Sequence, residues 1–556
     1  MQPVIQPLGA ILYSPNQYVI PVYQRHYRWD AAEWEKLWEN LQELRQPGVT
    51  GKHFMGFLVL KPGLPQPGRN TGFHLVDGQQ RLTTCSLMLI AIRNLAKKNS
   101  LDALAEEIHN YYLVHPPKRD TEHFRLFPKE RDNEDYLTAV KGEKPVQGRM
   151  GRALRYFEGK LAETVQAAAD PELREVFDLL CQRLEFMCAT LEHENAYNIF
   201  KSLNSTGVPL EAADLIRNFV FMHVNPDDQD AFDRDLWRPL ENRFHDNLGN
   251  FNSAEFSGFF RVFLQRGGRY VKEDATFETF EERYEAAGFS PVDLAKELTT
   301  FANYYDIICG RSPDDALELD KALANLRALE SSTTHPLLLN LFHRRAQGAV
   351  TNEDLAKCVR ILSGFILRRF ICGESSRGYG RQFVKACVSL TANAVQSLYV
   401  FLESKGWPDA HQFESAFRTF NLYERGYGKF ILESLEAAHD HREPADTSAA
   451  EIEHVMPQTL SVGWKKDLGA DAERIHGEWL HTPGNLTLSA YNRELWNYPF
   501  AKKREQYAQS NIVMTRKLSE SANWGEDEIR ARGQTLAELA KKVWSGPAGI
   551  DLNEFD

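Results

Sequence analysis

The chain has no C-x-x-C pair. Its seven cysteines, Cys85, Cys181, Cys188, Cys309, Cys358, Cys372 and Cys387, are odd in number and scattered. This excludes a zinc ribbon, a thioredoxin-like redox pair and a disulfide scaffold, and it fits reduced thiols in a cytosolic protein. The pattern G-x-x-x-x-G-K-[ST] is also missing, so there is no P-loop. No stretch of about 18 uncharged apolar residues occurs, so no membrane span is expected. The opening MQPVIQPLGAILYSP lacks the basic start and apolar run of a signal peptide, and a cytoplasmic location is the expectation. Positive charge is in short supply. The net charge of −12 argues against a protein that coats nucleic acid over its whole surface. Any phosphate contact must come from a local cluster, acting within a Debye length of roughly 8–10 Å. What is present is apolar material, 43% of 556 residues, ample for more than one core. At roughly 150 residues per domain the prior is three to four folding units.

The first hundred residues read as strands and helices around one motif. Residues 4–23 read as a strand with a Pro at its edge. Asp30 with Glu33 is a capping box, and Trp34, Leu37, Trp38 and Leu41 follow at helical spacing. HFMGFLVLK (53–61) and FHLV (73–76) are strand-like, separated by the Pro/Gly loop 62–72. DGQQR (77–81) then turns directly into an apolar helix-like run to Lys98, which predicts a buried helix. Gly78 allows a positive φ, the helix start offers free N–H groups to an anion, and Arg81 can fork onto a phosphate. Gln24, Arg25 and Arg28 supply further donors beside a strand edge. The competing reading is plain architecture, a turn before a buried helix with Arg81 paired to a carboxylate.

From about 100 to 430 the signal is mostly helical, broken by two polar islands. In the first, Asn204-Ser205-Thr206-Gly207 followed by Pro209 and Leu210 is a turn leading to a helix capped near Asp214, equally a structural turn or a ligand contact. In the second, Arg368 and Arg369 are adjacent on an apolar helix, so at most one should face the core, in a buried ion pair. Residues 436–450 look like a linker. Beyond it EIEHVMPQ (451–458) is a strand running into a turn, HTPGNLTLSAYN (481–492) is a loop, strand and turn, and PFAKKREQYAQ (499–509) starts a helix. His454, Asn485, Asn492, Asn497 and the cluster Lys502, Lys503 and Arg504 supply what metal-assisted phosphodiester hydrolysis needs: a base, oxygen ligands for a hard cation and a nearby cation. One of 17 histidines is a weak signal alone. His476 and His481 suggest zinc, but no cysteine follows Cys387 and the spacings match no common zinc pattern, so zinc is rejected.

The strings IPVYQRHYRWD, HFMGFLVL and LVDGQQRLTT, continued by FKSLNSTGVPLEAADLIRN and LRRFICG, resemble GmrSD-type modification-dependent (type IV) restriction endonucleases and the related phosphorothioate-sensing SspE proteins. I-E-H-x-x-P, G-N-L-T-L, two spaced asparagines and K-K-R resemble their C-terminal HNH domain. The resemblance implies an α+β fold in three parts: a ParB/sulfiredoxin-like domain over 1–100, a mainly helical region over 101–435, and an HNH (ββα-metal) domain over 436–556. It implies a nucleoside triphosphate held, and hydrolysed, at Asp77, Gly78, Gln79, Gln80 and Arg81 with Gln24 and Arg25. Sulfiredoxin chemistry is not expected, because the motif carries no cysteine. At the C-terminus it implies His454 as base, with Asn485, Asn492, Asn497 and Lys502 in the catalytic set and Glu453 and Asn492 on Mg²⁺ or another divalent cation. Many HNH enzymes have Asp where this chain has Glu453, and neighbouring strand residues point to opposite faces.

The function expected is a nucleotide-regulated, metal-dependent DNA endonuclease that restricts modified DNA. The alternative is a nucleotide-hydrolysing sensor of modified DNA whose C-terminal domain binds without cleaving, and a third option is a nuclease acting on RNA. The partners expected are double-stranded, modified DNA and a nucleotide, with no membrane and a homodimer as an option. Glucosylated hydroxymethylcytosine and phosphorothioate both fit the resemblance as the modification sensed.

Overall fold

The computed structural model describes residues 3–63, 71–129, 132–164, 169–191, 211–246, 251–439, 445–491 and 495–547. They fall into two compact units, Met1–Ser257 with Phe277–Lys296, and Gly258–Thr276 with Glu297–Asp556.

The first unit is built on a mixed six-stranded sheet. Its strands are β1 (Pro3–Pro7), β2 (Gln17–Ile20), β3 (His53–Pro62), β4 (Gly72–Asp77), β5 (Leu126–Pro128) and β6 (Leu184–Thr190). Their order across the sheet is β1-β6-β3-β4-β2-β5. The β1–β6 and β3–β4 pairs are antiparallel and the rest parallel. The single strand expected over 4–23 is two strands separated by helix α1 (Leu8–Tyr13), because Leu8, Ile11 and Leu12 share a helical face and are buried. Pro7 closes the edge strand β1, where a missing N–H breaks no ladder. The capping box opens helix α2 (Ala31–Arg45): Asp30 N–H donates to Glu33 Oε2 at 2.8 Å, and Trp34, Leu37, Trp38 and Leu41 are buried. Helix α3 (Gln79–Lys98) is buried on most sides, Cys85 included. It packs against the helices Gly148–Thr164 and Ala169–Arg183.

The expected domain boundary at residue 100 does not hold. β5 and β6 lie beyond it in sequence yet pair with β2, β1 and β3, so the sheet closes only near residue 190. Helix α4 (Ala212–Met222) belongs to the same unit.

Among its described residues the second unit is helical apart from an antiparallel pair, β7 (Glu451–His454) and β8 (Leu486–Ser489), in which His454 lies opposite Leu486. In helix α5 (Asn352–Ile371) both Arg368 and Arg369 are buried, which corrects the expectation that only one faces inward in an ion pair. Arg368 donates from Nε to the Trp544 carbonyl at 2.7 Å and from Nη1 to that of Pro408. Arg369 donates to the carbonyls of Lys405, Gly406 and Ser375, with Glu374 farther off at 3.5 Å. Their long arms reach round the helix to these backbone carbonyls. Helix α6 (Phe500–Tyr507) completes a strand–strand–helix arrangement, and helix α7 (Glu526–Val543) lies along Ala410–Thr419, where Glu414 accepts from Gln534 Nε2 at 2.7 Å. The boundary expected at 436 falls at the end of the helix Gly428–Ala437. Glu436 there receives the N–H groups of Val513 and Met514 at 2.6 and 2.9 Å, so the C-terminal region is continuous with its helical neighbours.

No helix among the described residues is long and apolar enough to cross a membrane.

Candidate functional site

In the first unit β4 ends at Asp77, Gly78 turns with φ +92°, and α3 begins at Gln79. Glycine is required twice over: the φ is left-handed, and a Cβ would meet the Phe57 carbonyl oxygen at 2.7 Å. The N–H groups of Gln79, Gln80 and Arg81 have no acceptor among the described residues, as expected of a first helical turn. Arg81 is partly exposed. It pairs with Asp77 at 3.2 Å and donates to the Met55 carbonyl at 3.1 Å, lying where a side chain on Gly56 would stand.

The segment 22–28 runs past this turn and is fixed from every side. Gln24 donates to the Val76 carbonyl at 2.7 Å. The Gln80 amide takes the Arg28 N–H at 2.7 Å and gives its own N–H to the His26 carbonyl at 2.9 Å. Tyr27 N–H is held by Asp132, its hydroxyl contacts Thr84, and Trp34 Nε1 donates to it. From α4, Arg217 donates to the Val22 carbonyl at 2.7 Å and is neutralised by buried Asp233 and Glu241. So held, the segment presents Arg25 and Arg28. Arg28 lies over the Phe251 ring and 3.5 Å from Asp214. Arg25 is half-buried and makes no hydrogen bond or ion pair with a described residue. Burial lowers its pKa, Asp214 opposes that, and Arg28 adds to it. Asp214 Oδ2 and Asn218 Oδ1, one turn apart on α4, are buried without a hydrogen-bond donor among the described residues. Among the described residues Arg25 is unpaired, Asn218 Oδ1 has no donor and Asp214 Oδ2 has only its 3.5 Å ion pair with Arg28; with the N–H groups that open α3, they suit a ligand carrying both anionic oxygens and donor groups, as a nucleotide does.

In the second unit β7 places alternate side chains on opposite faces. Glu453 points into the core, where Lys503 Nζ meets its Oε1 at 2.7 Å and Tyr507 Oη donates to it at 3.2 Å. Lys503 is itself buried and also donates to the carbonyls of His454 and Val455. Burial pushes the Glu453 carboxyl up and the Lys503 ammonium down, each opposed by the partner's charge. Glu453 is therefore corrected from ion ligand to partner of Lys503. The basic cluster is corrected with it: Lys503 faces inward, whereas exposed Lys502 sits 3.3 Å from the Tyr498 ring centre.

His454 faces the other way. It touches His481 at 3.1 Å, Gln458 at 3.3 Å and the Tyr423 ring edge-on at 4.5 Å. Burial first, then electrostatic coupling to His481, Lys503 and His476, lowers its pKa from the ordinary 6.5 to about 3, so the imidazole is neutral at physiological pH. Asn485 is fully buried and fully bonded. Its Oδ1 accepts from Met456 N–H at 2.7 Å and Trp524 Nε1 at 3.1 Å, and its Nδ2 donates to the carbonyls of Met456 and Leu480. It clamps the turn after β7, with no donor or acceptor left for substrate, which corrects its catalytic assignment. Asn497 is half-buried in the turn before α6. Asn492 lies outside the described residues, as do Asn204 to Leu210.

The sequence pattern singles out none of Arg217, Tyr423, Glu424 and Gln458, and marks His481 only as a rejected zinc candidate. Tyr423 and Glu424 lie in an ordinary surface turn some 30 residues upstream of His454, and nothing local in the sequence marks them.

Residues 8–221 match the family model for the GmrSD restriction endonuclease N-terminal domain, and residues 407–539 match that for the GmrSD restriction endonucleases' C-terminal domain. No curated protein matches the chain significantly. The first match spans the DGQQR turn, the 22–28 segment and α4 up to Phe221, and the second spans β7, β8 and α6, so the chain belongs to the GmrSD-type restriction endonucleases.

Proposed function

We propose that this chain is a nucleotide-regulated, divalent-cation-dependent endonuclease that restricts modified double-stranded DNA, with His454 as its general base. One observation carries the reading: His454 stands at the end of β7 in a strand–strand–helix frame, facing away from the core pair Glu453–Lys503. A neutral imidazole takes the proton of an attacking water as the water oxygen bonds to phosphorus, and the leaving oxygen departs with its bonding pair and is protonated from solvent. A divalent cation would neutralise charge on the phosphate. The fit for that ion is incomplete among the described residues: no group of three His, Cys, Asp or Glu side chains converges on one point, and Glu453 is occupied by Lys503.

In the N-terminal unit Arg25, Arg28, Arg81 and the first N–H groups of α3 would bind the phosphates, and Asp214 and Asn218 would accept from the ligand's donors. The Gln80 amide, bonded at both ends, holds the arginine segment in place. The test is nicking of supercoiled DNA by wild type and His454→Ala, with Mg²⁺ or EDTA. Loss in the variant and in EDTA is expected. DNA binding without any metal-dependent cut by wild type would favour the sensor alternative.

A further inference from the structure

Both ring nitrogens of His454 face partners. Nδ1 lies 3.3 Å from Nε2 of Gln458, and Nε2 lies 3.1 Å from Nδ1 of His481. An amide nitrogen only donates, so His454 Nδ1 accepts. The proton of the neutral ring is then on Nε2 and donates to His481 Nδ1. That puts the His481 proton on Nε2, which lies 3.6 Å from Glu424 Oε1. A donor faces an acceptor at each step from Gln458 to Glu424.

The frame around these groups is fixed. Leu422 N–H donates to the His481 carbonyl at 2.9 Å. Asn421 and Glu424 exchange two hydrogen bonds, side-chain amide to carboxylate at 2.8 Å and Glu424 N–H to Asn421 Oδ1 at 3.1 Å. Tyr423 between them stacks on His481, with centroids 5.3 Å apart and planes 9° apart.

We propose that His481 and Glu424 are positioning residues for the nuclease: they hold His454 in the Nε2–H tautomer, so that Nδ1 is its basic atom. The proposal rests on the reading of His454 as base. Gln458 is exposed, and its amide caps Nδ1 at the place where a water would donate. When Nδ1 takes the water's proton, the Nε2–H bond to His481 persists and the new positive charge is shared along the chain towards the Glu424 carboxylate. The proton leaves Nδ1 to solvent after the cut.

The deciding measurement is ¹⁵N NMR of the full-length protein with labelled histidine, the His454 signals being identified by their loss in His454→Gln. Wild type should show a bare Nδ1 and a protonated Nε2. His481→Phe keeps a ring on Tyr423 but lacks the acceptor and should lose that preference. Its kcat for nicking should fall roughly 10–100-fold with KM unchanged, and His481→Asn, which restores an acceptor, should recover part of it. Exposed Glu424→Gln should act in the same direction without affecting folding. An Nδ1–H signal in wild type overturns the proposal. So does an unchanged kcat in His481→Phe where His454→Ala is inactive. If His454→Ala nicks as wild type does, the nuclease reading fails, and the ¹⁵N signals still decide the tautomer.

Discussion

Arg25 carries a charge into a half-buried position with no hydrogen-bond partner among the described residues, whereas Arg81, four residues beyond Asp77, has two. An unpaired charge costs stability, and a protein keeps one where a ligand supplies the counter-charge. Arg25→Met should therefore abolish nucleotide hydrolysis and leave the melting temperature unchanged or raised, as read by calorimetry beside a phosphate-release assay. A clear loss of melting temperature would give Arg25 a structural role instead. Arg81→Ala should also abolish hydrolysis, at a stability cost of about 0–1 kcal/mol, because its pair with Asp77 is partly exposed. His454 sets a pH dependence. Unfolded, it takes a proton near pH 6.5; folded, only near about 3. Between these values the unfolded chain holds the extra proton, so this residue's contribution to stability is lost as pH falls from 6.5 and levels off below about 3. Wild type should lose more stability than His454→Gln between pH 7 and pH 4 in urea unfolding, and parallel curves would mean that the ring is not shielded in solution.

Helix α6 brings its three basic residues to different fates, and a run of like charges in sequence is therefore a poor guide to a binding face. Removing Lys503 leaves the Glu453 carboxylate buried without a cation, so Lys503→Met should cost roughly 3–5 kcal/mol in denaturant unfolding. Lys502→Ala should be nearly neutral for stability. Of this cluster, Lys502 and Arg504 are left to meet DNA, and removing both should reduce the slope of log affinity against log salt by up to about 2. The same helix shows what was legible in the sequence. Its start after Pro499, the strands within EIEHVMPQ and HTPGNLTLSAYN and the capping box of α2 are each encoded within a few residues. Glu453 and Lys503 are 50 residues apart, and β6 joins β1 across more than 170. Such pairings depend on which faces come together, and a local pattern carries no record of that. Asn485 is the instructive case: the GNLTL motif drew attention to the right residue, but only the four hydrogen bonds around it give its role.

At the scale of the molecule, the Asp77–Arg81 turn is in one compact unit and His454 in the other. A nuclease with an unguarded active centre endangers the DNA of its own cell, and a nucleotide site on the same chain can act as the guard only by binding the active and inactive states with different affinity. Couplings of this kind are typically about 1–3 kcal/mol, or roughly 5–150-fold in binding, and they are reciprocal. Nucleoside triphosphate should therefore change the affinity of wild type for cleavable DNA within that range, and such DNA should change nucleotide affinity by the same factor. Asp77→Ala should remove the dependence without removing nicking, because Asp77 positions Arg81 and lies outside the His454 centre. His454→Ala should retain hydrolysis and lose nicking. Titrations of each ligand at fixed concentrations of the other give both factors from the same protein. Equal DNA affinity and equal nicking with and without every nucleoside triphosphate, on modified and unmodified DNA alike, would reduce the chain to two independent units.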